Sequence, residues 1–229
     1  MTRVTPAVTF ILPRLVSLLA AQGDAKGAVS HSQFARRLGD LIDLGHSVAL
    51  SETLGLLGRK EFIAQDQHSA GGRDDFLRVR AAMITAVLRS LYSGSGPTRI
   101  RWPEVSVGAE SDAAAYSKFY AAHQREMEAR VRGLQERVRD TASGQSTELA
   151  QLASVDAAVG DSLLAHSRRL FASIPALVAR RFEAVTSDDA SLRAYRAEVQ
   201  ALLLAEIEAR LLPVQGLIEA MDEQTDNES

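Results

Sequence analysis

From residue 112 to residue 212, apolar side chains recur every three or four positions with few interruptions. This sustained helical spacing is the strongest constraint on the fold, because half-buried strands would alternate with period two. The clearest run is Tyr116, Tyr120, His123, Met127, Val131, Leu134 and Val138, on one face of a helix expected over 112–141. Threes and fours mix with one additional four, so the stripe stays close to an undistorted helix and little supercoil is expected. Its other face carries Glu126/Arg130 and Glu128/Arg132, in the i,i+4 order that supports a helix.

A turn around Gly144 precedes a second long helix, expected over 147–172 through Leu149, Leu152, Val159, Leu163 and Leu170. Pro175 starts a third, where the missing N–H costs nothing. Asp188 or Asp189 caps a fourth over 188–212, through Tyr195, Val199, Leu202, Leu203 and Leu211. Pro213 is expected to end or kink it, because its ring and absent N–H disrupt a helix interior. A short turn over 214–221 follows, and the polar, acidic 222–229 is expected to be a disordered tail. Upstream, short helices are expected near 12–22, 32–45 and 47–58, then a polar loop over 59–74. A stronger helix follows, capped by Asp74 or Asp75, with Phe76, Val79, Met83, Val87 and Leu91 as its stripe. Gly94, Gly96, Pro97, Pro103 and Gly108 break all periodicity between 93 and 111.

The reading is an all-α fold. An N-terminal short-helix subdomain over 1–92 and a linker over 93–111 precede an antiparallel bundle of long helices over 112–221 and the tail. Composition agrees: aromatics are 5% of the chain, and Ala and Leu dominate its apolar residues. No stretch supplies the roughly 20 apolar residues a bilayer span needs. The apolar stretch after Arg3 is interrupted by Pro13 and Arg14, so an ordinary N-terminal helix is expected there rather than a signal peptide.

The chain contains no cysteine, which excludes disulfides, thiolate zinc sites, iron–sulfur clusters and a cysteine nucleophile. None of His31, His46, His68, His123 and His166 has the spacing that puts two metal ligands on one helix face. His123 and His166 fall on apolar stripes and are expected to be structural. SGSGP at 93–97 lacks the Gly-Lys-Ser/Thr of a phosphate loop and reads as linker. No catalytic residue, metal or cofactor is assigned.

Three constellations remain. TRIRW at 98–102 puts Arg99, Arg101 and the single Trp102 on a loop, where base stacking and phosphate contact can combine. The alternative is that Trp102 plugs the gap between subdomains while both arginines are solvated. Glu206 and Arg210 lie one turn apart in an apolar run and are expected to be a partly buried ion pair, with Asp156 as third member. Leu204, Leu217 and Ile218 belong to a segment whose apolar residues cover more than one helix face. The surplus needs cover from the N-terminal subdomain or from another chain.

ELAQLASVDAAV (148–159), IPALVARRFE (174–183) and LLLAEIEARLLPVQGLIEAM (202–221) resemble a proteobacterial family of unknown function. SQFARRLGDLID and VALSETL, within 32–54, match it more weakly. Members often carry a Trp where this chain has Tyr195. The resemblance implies association: relatives are encoded beside a MotA-like membrane protein, an OmpA/MotB-like peptidoglycan-binding protein and another small soluble protein. That neighbourhood is similar to Zorya-type anti-phage defence systems. It implies a non-enzymatic, cytoplasmic helical subunit without membrane insertion. Its expected partner is the other small soluble protein or the cytoplasmic tail of the MotA-like protein. The alternative is a DNA-binding sensor or effector component that uses the arginine clusters.

Overall fold

A computed structural model of the protein describes residues 14–21, 44–57, 71–92, 98–104, 112–186 and 188–227. All regular structure among them is helical: α1 (Arg14–Ala21), α2 (Leu44–Leu57), α3 (Gly71–Leu91), α4 (Asp112–Ser143), α5 (Thr147–Ala172), α6 (Ile174–Glu183) and α7 (Asp189–Asn227). The helix expected after Ser32, the loop at 59–70 and much of the linker lie outside the described residues. Among those described, no helix is long and apolar enough to cross a membrane.

α4 is the hub, packing on α3, α5, α6 and α7. Every residue of its predicted stripe, from Tyr116 to Val138, is buried. Ion pairs fix the direction of its neighbours. Arg139 pairs with Asp156 and Glu128 with Arg168, so α4 and α5 run antiparallel. Asp75 pairs with Arg137 while Ser90 meets His123, which makes α3 antiparallel to α4. Arg73–Asp222 and Tyr92–Gln200 tie α3 antiparallel to α7. Burial opposes ionisation of Asp75, but hydrogen bonds from Arg137 and Arg78 hold its carboxyl below the ordinary range.

The turn between α4 and α5 is closed by Ser146, whose Oγ accepts from the Leu149 N–H at 3.1 Å and caps α5. The same hydroxyl donates to Gln224 Oε1 at 2.9 Å and anchors the end of α7. The α5 stripe differs from the predicted one. Leu149, Ala150, Ala153 and Phe171 face inward, while Leu152 and Leu170 are exposed. Small alanines let α5 approach its neighbour closely, so the larger leucines lie outside the contact.

α3 begins at Gly71, earlier than the expected Asp74 or Asp75 cap. Gly72 is buried where α3 meets Met221, and a Cβ there would lie 3.4 Å from the Met221 Cε. Asp75 is engaged by two arginines instead of capping. α1 packs on α7 and α2 on α5, and α3 contributes Met83, Val87 and Leu91 to the same apolar core as the long helices. Helices of eight and fourteen residues carry too little apolar area to stand alone and borrow a face from the bundle.

α7 does not stop at Pro213. It continues to Asn227, so 222–227 is helix rather than disordered tail. Pro213 is exposed and deprives the Ala209 carbonyl of its helical partner, at a cost of about 3 kcal/mol. Leu211, Val214, Leu217, Ile218 and Met221 are buried on both sides of it, each worth roughly 1.5–3 kcal/mol on full burial. That contact area outweighs the one lost hydrogen bond.

Candidate functional site

Glu206 is fully buried, at 0% exposure, on the side of α7 that faces α4. Its Oε1 accepts from Arg210 Nε at 2.8 Å and lies 2.7 Å from Arg210 Nη2. Its Oε2 accepts from Tyr120 OH at 2.9 Å and from Gln124 Nε2 at 3.1 Å. Gln124 Nε2 also donates to the Phe171 carbonyl at 2.8 Å, and the Arg210 guanidinium lies over the Phe171 ring at 3.9 Å. One carboxylate thus joins α4, α5 and α7. Burial and the neighbouring Glu206 charge push the Tyr120 hydroxyl well up, so it keeps its proton and donates. With both carboxylate oxygens engaged by donors, the arrangement is a structural tie.

Asp156 is not the third member of this group. It accepts from Arg139 Nε at 2.8 Å and forms a separate link between α4 and α5. Tyr120 and Gln124 were missed as partners. Tyr120 lies on the predicted stripe and Gln124 one turn beyond it, a polar residue beside a buried face.

His123 is buried beneath α3, with Nε2 2.8 Å from Ser90 Oγ and its ring edge-on to Phe119. Ser90 Oγ donates its proton to the Val87 carbonyl at 2.7 Å, so the contact needs the proton on His123 Nε2. Burial lowers the His123 pKa from 6.5 to about 4. The folded state therefore holds the neutral ring, and the unfolded chain takes up the proton first as pH falls. The full stabilisation is present above pH 6.5 and about 3 kcal/mol of it is lost by about pH 4. His123→Gln keeps a donor toward Ser90 but does not titrate. Melting temperature measured across that window should fall less steeply for the variant than for the wild type. Equal slopes would refute the burial argument.

Trp102 is partly buried and packs against the core rather than standing free as a stacking platform. Its ring lies 4.9 Å from Tyr116, 5.1 Å from Phe119 and 6.0 Å from Tyr195, with the Arg196 guanidinium over it at 5.3 Å. The backbone N–H of Trp102 donates to the Ser90 carbonyl at 2.8 Å and closes the end of α3. Arg99 and Arg101 are exposed on either side of Ile100, which packs inward. Of the plugging and stacking alternatives for TRIRW, the structure has the plug.

Leu217 and Ile218, expected as partner contacts, are buried, and Leu204 is partly buried against the core. The apolar surplus of α7 is covered because α1, α3, α4 and α5 all reach it. What remains open is a groove of about 520 Å³ between α3 and α7 with Arg14 of α1 at its edge. Leu77 and Leu212 line it at 52% and 48% exposure, between the Arg73–Asp222 and Arg80–Glu208 pairs. Among the described residues, no three His, Asp or Glu side chains group as metal ligands.

These features define an all-α protein of long antiparallel helices tied through buried polar groups. Residues 1–223 match a family described as protein of unknown function (DUF3348), and the chain belongs to that family. No curated protein and no solved structure matches it.

Proposed function

We propose that the protein is a non-enzymatic helical subunit of a multi-protein bacterial assembly and acts by offering a helix-lined groove to a partner protein. The carrying observation is the pairing of Leu77 and Leu212 in the α3–α7 groove, two large apolar side chains each about half exposed. Exposed apolar groups gathered in one groove favour association, because covering them releases ordered water and removes apolar area from solvent. The resemblance of 148–159, 174–183 and 202–221 supplies the setting: a motor-linked, Zorya-like anti-phage system in the cytoplasm. In that setting the partner is the other small soluble protein of the operon, with the tail of the MotA-like protein as the next candidate.

Co-expression with each operon neighbour, followed by affinity capture, tests this. The wild type should retain one neighbour, and the double variant Leu77→Glu, Leu212→Glu should lose it while keeping its circular dichroism and melting temperature. Failure to capture any neighbour, or capture indifferent to the double variant, removes the basis for the proposal. A DNA-binding role is less well supported, since the Trp102 ring packs on Tyr116 and Phe119 rather than standing free for a base.

A further inference from the structure

We infer that the cleft between α3, α4 and the 98–104 segment is an anion site for a phosphoryl group. This site is distinct from the α3–α7 groove and does not depend on the proposed partner. The cleft is about half open to solvent and has a volume of about 470 Å³. That falls within the roughly 300–1,000 Å³ of small-ligand sites. Ala81, Ala82 and Ala86 of α3 leave the room, and Arg89, Arg99 and Arg130 stand around it.

The charges do not cancel. Among the described residues the one carboxylate lining the cleft is Glu126, and Arg130 already holds it. Arg89 and Arg99 face the same space from two different elements, and neither forms an ion pair among the described residues. The C-terminal end of α3 beside Arg89 contributes only about half a negative charge. Two guanidiniums sharing a cleft with no free counter-charge among the described residues repel each other, and an anion between them turns that repulsion into two charge-assisted contacts. Planar guanidinium forks match phosphate oxygens in pairs, which a point-charge ammonium cannot do.

The site is also preorganised. The backbone that carries Arg99 is held on one side by the Thr98 hydroxyl, which donates to the Ile100 carbonyl at 2.7 Å. On the other side it is held by the backbone N–H of Trp102, bonded to the Ser90 carbonyl. A segment fixed before binding loses little conformational entropy when a ligand arrives. Thr85 lines the cleft from α3 as an exposed hydroxyl that can donate to the same oxygens.

Phosphoryl oxygens reach such a site from a free phosphorylated molecule or from a nucleic-acid backbone. Isothermal titration calorimetry at constant ionic strength tests both, with pyrophosphate in one arm and a short single-stranded oligonucleotide in the other. Pyrophosphate should give saturable heat that Arg89→Gln with Arg99→Gln weakens by about tenfold or more, while Arg125→Gln with Arg193→Gln leaves it unchanged. Oligonucleotide binding that pyrophosphate displaces and the same pair weakens identifies a polymer backbone as the source. Pyrophosphate binding without oligonucleotide binding identifies a free phosphorylated molecule. No saturable heat from pyrophosphate, or equal heat in both double variants, overturns the site.

Discussion

Glu206→Ala is expected to lower the unfolding free energy by about 3–5 kcal/mol, because removing one partner leaves the others buried and unserved. The Arg210 side chain is only 12% exposed, and Tyr120 and Gln124 lose their acceptor at the same time. For a domain this size, about 1 kcal/mol moves the melting temperature by roughly 2–4 °C, so the expected drop is roughly 6–20 °C. The double variant Glu206→Leu, Arg210→Met should lose less than the single one, since no buried charge is then left behind. Differential scanning calorimetry on wild type, single and double variants decides the matter. A single variant as stable as the wild type would mean that water reaches the carboxylate.

Trp102→Ala is expected to cost about 3–4 kcal/mol, in the range for removing a large aromatic side chain from a packed site. The ring supports Tyr116, Phe119 and Tyr195, so its loss leaves a hole bounded by three other aromatics. The Arg196 guanidinium loses its cation–π partner as well. The measurement is urea denaturation followed by far-ultraviolet circular dichroism, with retention on an oligonucleotide column run in parallel. Stability should fall and retention should not change. Unchanged stability with lost retention would return Trp102 to a nucleic-acid role.

Both predictions rest on residues the sequence marks as unusual without saying why. A glutamate within LLLAEIEARLL and a lone tryptophan in a Gly/Pro-rich stretch are visible at once. Arg210 is visible as the partner of Glu206 too, because four residues along a helix is a fixed distance. Tyr120 and Gln124 are not, since they come from α4 and meet Glu206 only through helix packing. Asp156 shows the same limit from the other side: its partner is Arg139 on α4, not the pair on α7.

The all-α class, the start and end of α5 and the buried face of α4 were all legible along the chain. Each depends on interactions within a turn or two, where helix period and capping chemistry act. The outward face of Leu152 and Leu170, the burial of Leu217 and Ile218, and the passage of α7 through Pro213 were decided by packing. A stripe of apolar residues states that a helix has a buried side, but α7 meets four helices and so buries several. Local propensity puts a break at Pro213; the apolar area buried on both sides of it, which exists only once α1 and α3 have docked, keeps the helix whole.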